Sequence, residues 1–160
     1  MFGVSLNFDP THLASLVKDW VKDVKTESRL RQLLKEMLLV ELQWNKAVLD
    51  EYIKTKKNLN GTELADKIAE QLSFRNMEKI LEVGFPLSVL FEGDYKPKPY
   101  KKRTYSNYTK DIKTDVELIN RTYHRLRFFQ LRSQLQINTK QNSSNYLEFL
   151  CYQAILALKK

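Results

Sequence analysis

Apolar side chains recur every three to four positions along most of this chain, a period that predicts helices rather than strands. Only the first eight residues depart from it. There Phe2, Val4, Leu6 and Phe8 alternate at period two, which predicts a short extended arm over residues 1–8. Asp9-Pro10 then reads as an N-cap followed by proline at the first helical position. Leu13, Leu16, Val17, Trp20, Val21 and Val24 follow at helical spacing and define a first amphipathic helix. A second and longest helix is predicted from about Glu27 to Lys57, with Leu30, Leu33, Leu34, Met37, Trp44, Val48 and Tyr52 on one face. The turn residues Asn58-Leu59-Asn60-Gly61 break it.

Asn60 to Glu63 has the spacing of a capping box, opening a third helix with the stripe Leu64, Ala65, Ile68, Ala69 and Leu72. The phase shifts at Ser73, read as the N-cap of a short helix carrying Phe74, Met77 and Leu81 and ending at Gly84. The brief apolar run from Leu87 to Phe91 suits a helical turn or a short strand. Residues 93–109 read as an irregular connection in which Pro97 and Pro99 alternate with lysines, a pattern that favours polyproline II backbone. A fourth long helix is predicted from about Lys110 to Ile137. After a break over Asn138–Asn142, Ser143 or Ser144 caps a last helix. The expected architecture is an all-α single domain over 1–160: a bundle of about five largely antiparallel helices, with a long basic Pro/Lys/Tyr loop before the fourth.

Composition agrees with that pattern. A chain of 160 residues with 42% hydrophobic and 29% charged residues is long enough to bury a core, and four Gly and four Pro are too few for a many-turned β fold. Within the last helix, eleven of the thirteen residues from Tyr146 to Leu158 are apolar, interrupted only by Glu148 and Gln153. A helix apolar all round is buried, inside this bundle or against another copy. The lone Cys151 lies in that run and reads as a small hydrophobe. No stretch approaches the roughly 18 apolar residues of a membrane span and no secretory pattern opens the chain, so a reducing cytoplasm is expected.

Charge changes the picture more. Residues 95–132 hold eleven Lys and Arg against three Asp and Glu, while the other 122 residues carry sixteen of each sign. The whole formal excess of +8 therefore sits in one segment. In its first part Lys96, Lys98, Lys101, Lys102, Arg103 and Lys110 are interleaved with Tyr95, Tyr100, Tyr105 and Tyr108. Cations of this kind neutralise phosphates and release counterions, and tyrosine rings stack on unpaired bases. On the following helix Arg121, Arg125 and Arg132 share one stripe, flanked by Phe128 and Leu135. The competing reading is a solvated loop pinned by its tyrosines, with arginines paired to acids, of which the first 94 residues supply fifteen.

Candidates for catalysis are few. There is no glycine-rich phosphate loop, paired-histidine motif or cysteine pair at metal spacing, so no metal or other cofactor is implied. Helical ribonucleases of the HEPN type carry an Arg followed by a His after four to six residues. Arg121 and His124 are separated by two, and that signature is not met. Glu41 lies near the centre of the apolar face of the second helix with Asn45 one turn on, and no second inward-facing carboxylate is evident. Glu41 and Asn45 are expected to be structural buried polar residues, satisfied by each other, by a tyrosine or by an arginine. The expected function is a non-enzymatic module contacting nucleic acid or another polyanion through Lys96, Lys98, Tyr100, Lys101, Lys102, Arg103, Tyr105, Arg121, Arg125 and Arg132. Two alternatives stand beside it. One is a scaffold forming homo-oligomers or a complex with another protein through the apolar C-terminal helix; the other is an enzyme acting through Glu41.

Overall fold

A computed structural model of the chain describes residues 24–55, 61–101, 105–135 and 142–160. The arm expected over 1–8, the first helix, the breaks at 58–60 and 138–141, and Lys102 and Arg103 lie outside those residues. Within them the chain is helical throughout its regular structure: α1 (Val24–Thr55), α2 (Gly61–Gln71), α3 (Arg75–Glu82), α4 (Leu87–Leu90), α5 (Ser106–Thr109), α6 (Asp115–Gln134) and α7 (Asn142–Leu158). The apolar run at Leu87 thus resolves as a helical turn, and a short α5 interrupts the expected connection.

Helix α1 is the spine, packing against α7 along one side and against α2, α3 and α4 along the other. Flanked on both sides, it buries a wide face: Leu30, Leu34, Met37, Leu38, Leu42, Val48, Leu49 and Tyr52. Trp44, expected on that face, is instead 54% exposed at its rim, where its indole N–H donates to the Gln71 carbonyl at 2.8 Å. Helix α2 runs antiparallel to α6, with Asp66 bonded to Ser133 and Ala69 to Gln130. Helices α6 and α7 pack together with Asp115, at the start of α6, beside Lys160, just past the end of α7.

Two helix starts differ from the sequence expectation. The N-cap of α3 is Phe74, not Ser73, because the first amides of α3 are capped from another helix by Glu41 (below). Helix α6 begins at Asp115 rather than Lys110. Thr114 and Glu117 form a reciprocal capping box there, while residues 110–113 remain non-helical. The end of α3 follows the sequence: Gly84 adopts φ +70, its amide bonds Leu81 O, and the Phe85 amide bonds Ile80 O. That left-handed C-terminal closure is accessible to glycine without a side-chain penalty.

The connection before α6 is a closed loop. Tyr95 N donates to Lys113 O at 2.7 Å and Asp115 N to Gly93 O at 3.0 Å, joining the two ends of the excursion. Gly93 makes that approach possible, since a Cβ there would lie 2.9 Å from Asp115 Oδ2. The closed loop lies over α7 on its own small core of Tyr95, Ile112, Leu118, Phe149, Leu150 and Ala157.

Candidate functional site

The two polar interruptions in α7 are what hold the basic loop. Gln153 takes the loop backbone in a two-way clamp: its Oε1 accepts from Lys98 N at 2.9 Å and its Nε2 donates to Lys98 O at 2.6 Å. Glu148, only 2% exposed, accepts from the Tyr100 hydroxyl and from Lys101 Nζ, each at 2.7 Å. Lys46 of α1 lies 3.6 Å from the same carboxylate and 2.6 Å from Asp50, which in turn faces Lys101 at 3.5 Å. Two lysines, two carboxylates and a phenol so close one cluster between α1, α7 and the loop. Glu148 is the inward-facing carboxylate that sequence reasoning missed. Its signal was a lone acid in an otherwise apolar helix, where a buried charge needs partners.

The charges in this cluster support one another. Burial works against the Lys101 ammonium, yet the hydrogen bond and charge of Glu148 hold it above the ordinary lysine range. For Asp50, burial is outweighed by the hydrogen bond from Lys46 and by the charges of Lys46 and Lys101, which hold the carboxyl below its ordinary 3.8. A depressed carboxyl contributes stability that is present above its unfolded value and lost as pH falls through the folded one. Below about pH 4 the cluster is therefore expected to weaken. The protection of the Lys98 amide, taken relative to intrinsic exchange at the same pH, should fall there, and Asp50→Asn should shrink that acid step.

Three of the four loop tyrosines, Tyr95, Tyr100 and Tyr105, face the body of the protein. Tyr100 stacks on Tyr152 with ring centroids 4.3 Å apart, and the ammonium groups of Lys46 and Lys101 sit 5.2 and 5.1 Å from its centroid. Tyr105 packs on Phe149 at 4.9 Å and on Tyr146 at 5.6 Å. Both rings, read from sequence as candidate stacking partners, are engaged in pinning the loop to α7. Tyr108 alone of the four loop tyrosines is exposed, at 64%. The residues that flank 102–104, Lys101 and Tyr105, have φ of 49 and 48, a left-handed backbone that non-glycine residues adopt only where surrounding contacts hold them.

The cations divide into two groups. Lys101 is tied to Glu148 and Asp50, Arg121 forms a two-pronged ion pair with Asp111, and Arg127 pairs with Glu78 while lying over Phe74. Arg132 sits with its guanidinium 5.7 Å from the Phe128 centroid. Lys96, Lys98, Lys110, Lys113 and Arg125 are exposed, and none makes an ion pair with a described residue. The arginine stripe read from sequence is thus differentiated by its neighbours: Arg121 is bound to an acid of the loop, Arg125 is not.

Glu41 and Asn45 belong to a separate, structural arrangement. Glu41 accepts from Asn76 N at 2.7 Å, Met77 N at 3.2 Å, Ser73 Oγ at 3.1 Å and the Tyr123 hydroxyl at 2.8 Å. Its carboxylate meets two orphan amides at the start of α3 and ties α1 to α6 through Tyr123, whose phenol burial and Glu41 push well above the usual range. Asn45 grips Ser73 from both sides, donating to its carbonyl and accepting from its amide. Cys151 is fully buried, and burial raises its thiol far above the range of a reactive thiolate.

No protein family, curated protein or solved structure matches this chain. Among the described residues no helix is long and apolar enough to cross a membrane, and no three His, Cys, Asp or Glu side chains gather as a metal set.

Proposed function

We propose that this protein is a non-enzymatic binding module that holds nucleic acid or another polyanion through Lys96, Lys98, Lys110, Lys113 and Arg125, with Lys102 and Arg103 of the same segment adding to the charge. One observation carries the reading: these five cations are exposed, unpaired among the described residues, and borne by a loop closed at its base and clamped to α7, or by the helix that follows it. A cation held on an ordered frame has less conformational freedom to lose on binding than one on a free tail. Tyr100, Tyr105 and Lys101 act as anchors of that frame. Attraction through lysines is independent of base sequence, so the target class is defined by phosphate or sulfate density.

The other two readings have less to stand on. Glu41 is engaged by four donors. The apolar side chains of α7 expected to form an assembly surface pack within this chain against α1, α6 and the loop.

Heparin and mixed oligonucleotides titrated over a range of salt concentrations test the proposal. Lys96→Ala with Lys98→Ala is expected to weaken binding to all sequences alike and to lower the slope of log Kd against log salt by about one for each lysine removed. An unchanged slope and affinity would remove the loop from the interface.

A further inference from the structure

Two hollows lie side by side on the solvent face of α6. One, of about 660 Å³, is lined by Asp111, Glu117, Asn120, Arg121, His124, Arg125 and Phe128. The other, of about 320 Å³, is lined by His124, Arg127, Phe128, Gln130, Leu131 and Gln134. His124 and Phe128 are common to both and form the ridge between them. Phe128 is 45% exposed, with Leu131 equally uncovered on the next turn.

Both acids of the larger hollow are already engaged. Asp111 is held by Arg121, whose hydrogen bonds keep its carboxyl below the usual range. Glu117 accepts from the Lys113 and Thr114 amides and sits in the first turn of α6, where the positive end of the helix dipole offsets its charge. Arg125, His124, Asn120 and Gln134 have no hydrogen-bond partner among the described residues. The uncommitted chemistry of this face is therefore one guanidinium, one imidazole and two amides, beside a 45% exposed aromatic ring that Arg132 approaches to 5.7 Å.

We propose that this face of α6 takes the unpaired nucleotides of a single-stranded nucleic acid, with Phe128 as the stacking platform and Arg125 as the phosphate contact. The inference rests on the polyanion reading above and adds the class of polyanion. Residues three apart on a helix are surface neighbours about 5–6 Å apart, so a phosphate on Arg125 leaves its base over Phe128. Stacking on an aromatic ring tolerates any base, and the free amides of Asn120 and Gln134 suit base edges. A double helix keeps its base faces inside and offers Phe128 nothing. Tyr95, Tyr100 and Tyr105 are turned to the body of the protein; of the exposed rings Tyr108 and Phe128, Phe128 is the one a helical turn from the unpaired Arg125 guanidinium.

Fluorescence anisotropy with a labelled mixed 12-nucleotide strand, as DNA and as RNA, tests this against the blunt duplex of the same sequence, heparin and poly-glutamate. Phe128→Ala is expected to weaken single-strand binding by about fivefold to a hundredfold, leaving duplex and heparin within about twofold. Phe128→Leu, which keeps the apolar bulk and guards against a folding artefact, should lose most of the same affinity. An equal loss on heparin, or no loss on single strands, overturns the inference. So does poly-glutamate binding that matches the oligonucleotide and falls with it, which would mark the face as a site for an acidic polypeptide. The two proposals separate cleanly. If the Lys96/Lys98 variant weakens every ligand and Phe128 variants weaken none, only the α6 site falls; if the loop variant changes nothing, the charge reading fails first.

Discussion

Replacing Glu41 with alanine is expected to lower the thermal midpoint by about 10 °C, the largest effect of any single substitution outside the apolar core. The carboxylate is the acceptor for two backbone amides at the start of α3, the Ser73 hydroxyl and the Tyr123 hydroxyl. Its removal leaves those donors buried without an acceptor, each at a cost of about 1–3 kcal/mol before water or local movement relieves some of it. A net loss of roughly 3–5 kcal/mol follows, and a domain of this size loses about 2–4 °C per kcal/mol. Glu41→Gln should lie about midway: it preserves shape and one oxygen but turns an amide donor toward other donors. Heparin affinity at a temperature where the variant is folded should match the parent, because Glu41 touches none of the exposed cations. Melting within about 2 °C of the parent would show that the α3 amides find other acceptors.

Glu148→Ala is expected to destabilise the protein by about 2–4 kcal/mol and to loosen the basic loop specifically. The mechanism is a broken buried charge cluster: Lys46 keeps Asp50, but Lys101 and the Tyr100 hydroxyl lose their shared acceptor. Lys101, 57% exposed and still facing Asp50, regains water, so the loss falls mainly on the more deeply set Lys46 and on the Tyr100 hydroxyl. Urea unfolding measures the global term. The local term should appear as faster hydrogen exchange at Lys98 and Tyr95 and as new trypsin cleavage after Lys101. Gln153→Ala, which deletes two neutral hydrogen bonds to the Lys98 backbone, should loosen the same segment with a smaller global loss of about 1–2 kcal/mol. Equal protection of the loop in parent and Glu148→Ala would mean that Tyr95, Ile112 and the aromatic contacts hold it without the charge cluster.

Much of this architecture was legible along the chain because helices are written in a local code. A 3.6-residue period and the turn at Gly84-Phe85-Pro86 depend on neighbours a few residues apart, and the corresponding helices stand within a few residues of where that code puts them. The misplaced start of α6 was a local signal overlooked: Thr114-Asp115-Val116-Glu117 spells its own capping box. Ser73 failed for the opposite reason. Its spacing was right for a cap, but Glu41, 35 residues before Asn76, took the amides instead.

The charge excess, its confinement to residues 95–132 and the isolation of Glu41 and Glu148 among apolar neighbours belong to the order of residues alone. Which cations are open and which are tied does not. Arg121 and Arg125 are one turn apart with the same side chain, yet Asp111 reaches the first and not the second. Tyr100 and Tyr108 stand in similar Lys-rich surroundings, yet Tyr100 stacks on Tyr152 and is partly covered while Tyr108, tilted against Tyr146, stays 64% exposed. Pairing and burial arise between segments far apart in the chain, 55 residues for Lys98 and Gln153 and 82 for Glu41 and Tyr123, and depend on distances that exist only once those segments have packed. A residue's type states what it can bind; only its folded neighbours settle whether that capacity has already been used.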